Sequence, residues 1–454
     1  MTTAVVVGGG ISGLAGAWQL AADGHDVTVV EASDRLGGKI LTTGFAGRPV
    51  DEGPDAFLAR VPAAVELCRE IGLHDLVAPA AGRAFLWLGG RLVAIPAGHV
   101  LGVPVDLGPI ARSGILSPAG LARAALEPCL GGQPLAAGAD VAVGELIRRR
   151  FGDEVAERLV DPLLGGINAG RSDELSIEVA AAQLAAAART GASLTRALQA
   201  SRRAAPPERA APVFYAPAGG MGRLVAALAE ALRLRGAAIT TGAAVEAIAP
   251  RGRGWEVRTL DGAVFGGDRV LVTVPAFAAA RLLAPLSARV AAALAAVEYA
   301  SVALVTLAYP DGDVDLDGSG FLVPRTEGRL LTAASVLSNK WPALGGDGTA
   351  TVRASVGRAG DERALDLDDA TLVERVHDEL VEALGVASRP AAARVTRWAR
   401  AFPQYTPGHL ARMAEAEAAL AEDAPGIGLA GAALRGVGIP TCIAAARAAA
   451  ARLA

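Results

Sequence analysis

Gly8, Gly10 and Gly13, then Glu31, then Gly37-Gly38 with Lys39 behind them, bring three kinds of ligand chemistry into the first forty residues. The spacing Gly8-x-Gly10-x-x-Gly13 suits a pyrophosphate. Gly8 permits a tight turn, Gly10 lets the backbone approach the anion, and Gly13 lets the next helix sit close to the preceding strand. That helix would present oriented N–H groups to the anion, which brings Ile11, Ser12 and Leu14 into the candidate binding set. Glu31 follows Gly13 by eighteen residues, where a carboxylate accepts hydrogen bonds from ribose hydroxyls. An acidic residue there disfavours a 2′-phosphate, so the adenosine diphosphate of NAD or FAD fits better than NADP.

These roles require strand, turn, helix and strand in order, and the sequence supplies them. "AVVV" is a β-branched run ending at the first glycines, "LAGAWQLAADG" has the apolar spacing of a helix that stops at Gly24, and "HDVTVVEAS" is a second strand with Glu31 at its end. The chain of 454 residues exceeds a single core, so two or three domains are expected. Much of its 52% hydrophobic content is alanine, and the run Val290–Ala308, interrupted by Glu298, reads as a helix followed by a strand rather than a membrane span. No basic segment precedes the first apolar run, which argues against a signal peptide.

Cys68, Cys129 and Cys442 are too scattered for a metal clip and odd in number for a disulfide set, which favours a reducing cytoplasm. The five histidines are dispersed, so no metal site is expected. A net charge of −4 without a basic block makes nucleic acid a poor partner. Nearly all cations are Arg; the lysines are Lys39 and Lys340.

"EASDRLGGKI" resembles the Glu-x-x-x-Arg-x-Gly-Gly-Lys/Arg extension of FAD enzymes in the amine oxidase superfamily. That likeness implies FAD, with Glu31 and Ala32 at the ribose end, Gly37 and Gly38 against the diphosphate, and Arg35 and Lys39 as compensating charge. "VDEGPDAFLAR" resembles the segment whose Gly53-Pro54 turn passes the isoalloxazine, with Asp55 and Ala56 continuing that wall. Val245 falls where relatives have an adenine-contacting strand. At the C-terminus, Val437-Gly438-Ile439 open a long Ala-rich helix, which in similar enzymes points its N-terminus at the flavin pyrimidine ring and stabilises charge on reduced flavin.

Between these segments, 96–204 is helix-like: Ser117-Pro118 reads as a helix start, and Pro162 is expected to break the helix of "DEVAERLVDPLLGG". "RRAAPPERAAP" (Arg202–Pro212) reads as a linker. Strands near Ser301–Tyr309, Gly320–Val323, Leu330–Leu337 and Thr349–Gly357, with a helix near Asp368–Leu384, form a second sheet. The expected fold is α/β and α+β: a discontinuous Rossmann-like FAD-binding domain (1–75, 205–275, 395–454), a mixed-sheet substrate domain (76–95, 276–394) and an inserted helical subdomain (96–204).

"RRRFGDEVAERLVDPLLGGINAG", "GGMGRLVAALA", "YASVALVTLAY", "GSGFLVPRTEGRLLTAASVLSNKWP", "RWARAFPQYTPGHL" and "GAALRGVGIPTCIA" together resemble the bacterial oxygen-dependent protoporphyrinogen/coproporphyrinogen oxidase family, across almost the whole chain. The resemblance implies a six-electron oxidation of a porphyrinogen by hydride transfers to FAD, with O2 reoxidising the flavin to give H2O2. Trp398 joins the implied cofactor set. No catalytic base is expected, because aromatisation drives the reaction and flavin accepts the electrons.

The helical subdomain and second sheet are expected to form the tetrapyrrole cavity, with Arg60 and Lys340 meeting propionates and Asn168 standing in its wall where relatives carry an aromatic residue. The implied substrate is coproporphyrinogen III, with protoporphyrinogen IX the alternative and another amine oxidase-superfamily activity the runner-up; a flavin-free binding protein is the alternative of a different class. Contact with the membrane is expected to be peripheral at most, and contact with the next haem-pathway enzyme is left open.

Overall fold

In the computed structural model, which describes residues 2–80, 82–130, 133–204, 212–346 and 348–454, five short runs form one parallel sheet. They are β1 (Thr3–Val7), β2 (Asp26–Val30), β3 (Ala238–Thr240), β4 (Arg269–Val272) and β5 (Ile427–Leu429), in the order β3-β2-β1-β4-β5. The Val-rich sequences of β1, β2 and β4 fit a sheet covered on both faces. Helix α1 (Ile11–Ala22) crosses from β1 to β2, α2 (Gly222–Leu234) precedes β3, and α3 (Ile439–Ala451) follows β5. Gly16 lets α1 lie close to its neighbours, since a Cβ there would come within 2.4 Å of the Leu271 side chain. An antiparallel meander, Val245–Arg251, Gly254–Thr259 and Val264–Gly267, lies between β3 and β4, with the expected turn at Asp261-Gly262.

These elements belong to the first of two units, made of Met1–Ala78, Pro212–Glu298 and Leu410–Ala454. The second unit, Pro79–Ala211 with Tyr299–His409, holds a seven-stranded mixed sheet. Tyr299–Pro310 is its long inner strand, paired antiparallel with Ala392–Pro403 at one edge and Thr349–Val356 on the other side. Leu331–Val336, Gly320–Leu322 and the hairpin Phe85–Leu88/Arg91–Ala94 complete it, with one parallel pairing between Gly320–Leu322 and Phe85–Leu88. The helix Asp369–Leu384 buries Leu372, Val376 and Leu380 in the sheet's core. The helical part of this unit has its own core around Ile110, Ile147, Leu159 and Leu184.

Two borders fall elsewhere than at the sequence-drawn residues 275 and 395. The helices Ala276–Leu283 and Ala288–Ala295 group with the first unit, and Ala392–Pro403 with the second, because that strand pairs with Tyr299–Pro310 from Ala392 to Pro403, with a register shift between Ala300 and Val302. Arg202–Ala204 end the helix Leu194–Ala204, while residues 205–211 of the expected linker lie outside the described residues. Nor does Pro162 break its helix. The chain widens to a π-helix over Ala156–Val160 and resumes as α-helix at Asp161–Asn168, where Pro162 sits in the first turn and needs no N–H acceptor.

Candidate functional site

The two glycine motifs, 27 residues apart in sequence, lie side by side in the first unit. Gly10 and Gly37 form an isolated parallel bridge, and the Gly37 N–H donates to the Gly9 carbonyl at 2.8 Å. Gly8 and Gly38 have φ of +108° and +58°, which L side chains rarely adopt. A Cβ on Gly13 would lie 1.8 Å from the Gly8 carbonyl oxygen, so α1 sits directly on the turn. Around Gly10 there is space: a Cβ there would meet nothing nearer than the Gly38 Cα at 4.0 Å. Gly10 has no side chain to cap α1, and the N–H groups of Ile11, Ser12 and Gly13 have no acceptor within the helix. An open glycine cradle at an uncapped helix N-terminus fits a diphosphate.

Glu31 stands at the end of β2. Its Oε2 accepts the Gly9 N–H at 2.5 Å, and its Oε1 accepts the Ser33 N–H at 2.8 Å and the Ser33 hydroxyl at 2.7 Å. The carboxylate therefore ties the glycine turn to the loop after β2 as well as offering acceptor capacity to a ribose. The segment before Val245 runs beside it, with Gly242 N–H donating to the Ser33 carbonyl and Ala243 N–H to that of Glu31. Ala32 is exposed.

Arg35 turns inward, its Nη2 donating to the Gly38 carbonyl at 2.8 Å and its Nη1 reaching those of Leu36 and Ile40 at 3.3 and 3.4 Å. It clamps the doublet's backbone. Burial lowers the pKa of Lys39, opposed by the Cys442 thiol, and burial pushes Cys442 itself up to about 11. Cys442 belongs to the first turn of α3, whose N-cap Gly438, preceded by Val437 and followed by Ile439, carries no capping side chain.

Gly53, Pro54, Asp55 and Ala56 link Arg48–Asp51 to Phe57–Leu58. Sequence reasoning missed what anchors them. Asp51, buried, accepts the Met221 N–H at 2.9 Å and the Thr42 hydroxyl, and Thr42 Oγ1 accepts the Gly222 N–H at 2.8 Å. Only the run "GGMG", quoted for its likeness, could have signalled this tie.

Of the remaining candidates, Arg60 is exposed in the first unit, while Lys340, Asn168 and Trp398 belong to the second. Lys340 Nζ lies 5.5 Å from the centre of the Trp341 ring. Asn168 turns its amide back to the Leu164 carbonyl at 3.1 Å and gives its own carbonyl to Gln404. Trp398 packs on a small apolar cluster of Ala169, Ala300, Val302 and Ala401. No group of three or more His, Cys, Asp or Glu side chains that could hold a metal occurs among the described residues.

Comparison with known proteins bears on this geometry. The sequence pattern described as flavin containing amine oxidoreductase matches residues 11–454. A coproporphyrinogen III oxidase of Bacillus subtilis is 34% identical over 452 residues, covering 97% of this chain and 95% of its own, and one of Mycobacterium tuberculosis is 38% identical over 447 residues at the same coverage. A chloroplastic protoporphyrinogen oxidase of Arabidopsis thaliana is 30% identical, over 97% of this chain and 86% of its own. Among solved structures, a protein from Exiguobacterium sp. 255-15, provisionally named a protoporphyrinogen oxidase, superposes with a TM-score of 0.89 at 30% identity, covering 100% of this chain and 98% of its own.

Proposed function

The chain belongs to the flavin-containing amine oxidoreductase family, and from that premise we propose that it uses FAD to oxidise coproporphyrinogen III to coproporphyrin III with O2 as acceptor. The observation that carries the reading is the full-length likeness, at 34% and 38% identity, to proteins named coproporphyrinogen III oxidase. The paired glycine cradle at the uncapped N-terminus of α1 supports the reading.

Bound FAD would supply the acceptor for hydride from the porphyrinogen, which the protein's own side chains cannot provide. Loss of six electrons and six hydrogens to three O2 gives three H2O2. The residues present hold and orient. Gly8, Gly10 and Gly13 with the first N–H groups of α1 would hold the diphosphate, and Glu31 would accept hydrogen bonds from the ribose hydroxyls. The uncapped N-terminus of α3 favours negative charge beside it. Aromatisation drives the oxidation, so positioning is the protein's main contribution and no catalytic base is assigned.

A second reading, protoporphyrinogen IX as substrate, is favoured by the names of the Exiguobacterium and Arabidopsis relatives. Anaerobically prepared coproporphyrinogen III and protoporphyrinogen IX, compared by the rise of porphyrin fluorescence under O2, distinguish the two. The higher kcat/KM is expected for coproporphyrinogen III. A higher value for protoporphyrinogen IX selects the second reading, and turnover of neither overturns both.

The proposed setting is the cytoplasm, with at most peripheral membrane contact and a possible encounter with the enzyme that takes the product. The scattered cysteines support a reducing compartment, and no helix among the described residues is long and apolar enough to cross a membrane. After a high-salt wash the protein is expected in the supernatant; retention in the membrane fraction contradicts this.

A further inference from the structure

Two cations follow Glu31 in the segment that closes over the cradle, and their surroundings separate them. Arg35 spends its guanidinium on the backbone carbonyls of Leu36, Gly38 and Ile40. The Lys39 ammonium makes no hydrogen bond or ion pair among the described residues. Burial lowers its pKa, and the one group that opposes this is Cys442, whose own thiol burial pushes up to about 11. At neutral pH that thiol is uncharged, so it gives Lys39 no anion. Glu31, the carboxylate at the cradle, is engaged by the N–H groups of Gly9 and Ser33. A partly buried ammonium without a counter-charge is costly, and an anion arriving beside it is stabilised.

The packing of α1 on α3 shows what that anion would meet. A Cβ on Gly16 would lie 3.6 Å from the Ala446 carbonyl oxygen, and further along both helices Arg447 Nε donates to Gln19 Oε1 at 3.0 Å. Contacts that ascend together in both helices make them parallel, as befits helices that follow the parallel strands β1 and β5. One turn back from Gly16 and Ala446 stand Ser12 and Cys442, and the Ser12 side chain is hydrogen-bonded to the Cys442 thiol. The N-termini of α1 and α3 therefore lie side by side, and neither N-cap, Gly10 or Gly438, supplies a capping side chain. Gly38 closes over the first of them, since a Cβ on it would come 3.3 Å from the Gly10 Cα, and Lys39 is the next residue. Two helix N-termini, each worth about half a positive charge, and one ammonium thus meet at one end of the parallel sheet. Helices in contact have axes about 8–10 Å apart, a span that a ribityl chain bridges between a diphosphate on one N-terminus and a flavin ring on the other.

We propose that Lys39 serves the ring rather than the diphosphate: together with α3 it answers the negative charge that the flavin gains at its pyrimidine edge on reduction, while α1 and the glycines answer the diphosphate. Hydride brings two electrons and one proton to a neutral ring and leaves it with one negative charge, whereas the diphosphate is charged in both states. A cation at the ring edge therefore favours the reduced cofactor and raises its potential; a cation at the diphosphate holds both states alike. The inference rests on the FAD of the proposed function, not on the identity of the substrate, and deepens that reading by naming the side chain that sets how readily the cofactor takes electrons.

The test compares the native sequence with Lys39→Met and Lys39→Arg and uses two probes, FAD and ADP, the second carrying the diphosphate without the ring. In flavin-loaded Lys39→Met the two-electron potential, read against a reference dye during slow reduction, is expected to fall by about 30 mV or more, a tenfold loss of preference for the reduced cofactor. Lys39→Arg should restore most of it. ADP affinity of the apoprotein, measured by calorimetry, should be unchanged in Lys39→Met, and its Tm should hold or rise because an unanswered cation is gone. An unchanged potential, or equal weakening of ADP and FAD, overturns the inference. Retention of ADP with loss of FAD supports it, because only contact with the ring is then missing. If Lys39→Met does not fold, Lys39→Gln decides by the same two readings. Wild-type protein that oxidises neither porphyrinogen overturns the functional reading instead, while the potential and the ADP comparison still judge Lys39.

Discussion

Glu31 ties the fold together at the proposed ribose position. Its carboxylate accepts from Gly9 and Ser33, so Glu31→Gln removes the charge and can turn an amide NH2 toward the Gly9 N–H. Loss of a charge-assisted hydrogen bond of this kind costs about 1.5–3 kcal/mol, and FAD affinity measured by titrating the apoprotein should fall accordingly. Unchanged affinity would remove Glu31 from the cofactor site. Glu31 and the glycines were legible because their roles depend on local spacing. Asp51 was not, since its meaning comes from the Met221 N–H, 170 residues away.

Between α1 and its turn, two glycines separate the requirements of packing from those of binding. Gly13→Ala places a methyl 1.8 Å from the Gly8 carbonyl, which pushes the helix off β1; a cost of about 1–3 kcal/mol or more is expected from such overpacking, seen as a lower Tm of the apoprotein. Gly10→Ala adds a methyl in open space at an extended N-cap with φ −72° and ψ 177°. The apoprotein Tm should therefore hold while flavin retention falls, because the methyl occupies the proposed diphosphate position. Equal Tm losses in both variants would show that the cradle serves packing alone. At this scale the strands and helices could be read from period and punctuation, including the Ser117 cap, whose side chain accepts the Gly120 N–H. The π-helix over Ala156–Val160 could not; its backbone lies close against Gly102, where a Cβ would come 2.7 Å from the Leu159 backbone, a contact between distant residues that no local pattern records.

Across the whole molecule, two histidines in separate parts of the second unit make stability depend on pH above the range where carboxylates protonate. Burial lowers the pKa of His377, with Arg389 adding to the effect and Asp378 opposing it; burial and Arg202 lower that of His99. His99 Nδ1 accepts the Gly102 N–H at 3.0 Å, so a proton there would set donor against donor, while His377 Nδ1 lies 3.0 Å from the Tyr309 hydroxyl inside the sheet's core. In both cases the folded state binds its proton later than the unfolded chain, whose histidines titrate near pH 6.5. Above that pH both states are neutral and stability is full. As pH falls through it the unfolded state gains protons first, and stability declines by at most about 1.4 kcal/mol per pH unit for each group until the folded pKa is reached. Urea unfolding at pH 7.5 and 5.5 should therefore show a drop in ΔG for the native sequence. The drop should shrink in His377→Gln, and further when His99→Gln is added, because a neutral amide cannot take up the proton. An unchanged drop in the double variant would place the acid sensitivity elsewhere.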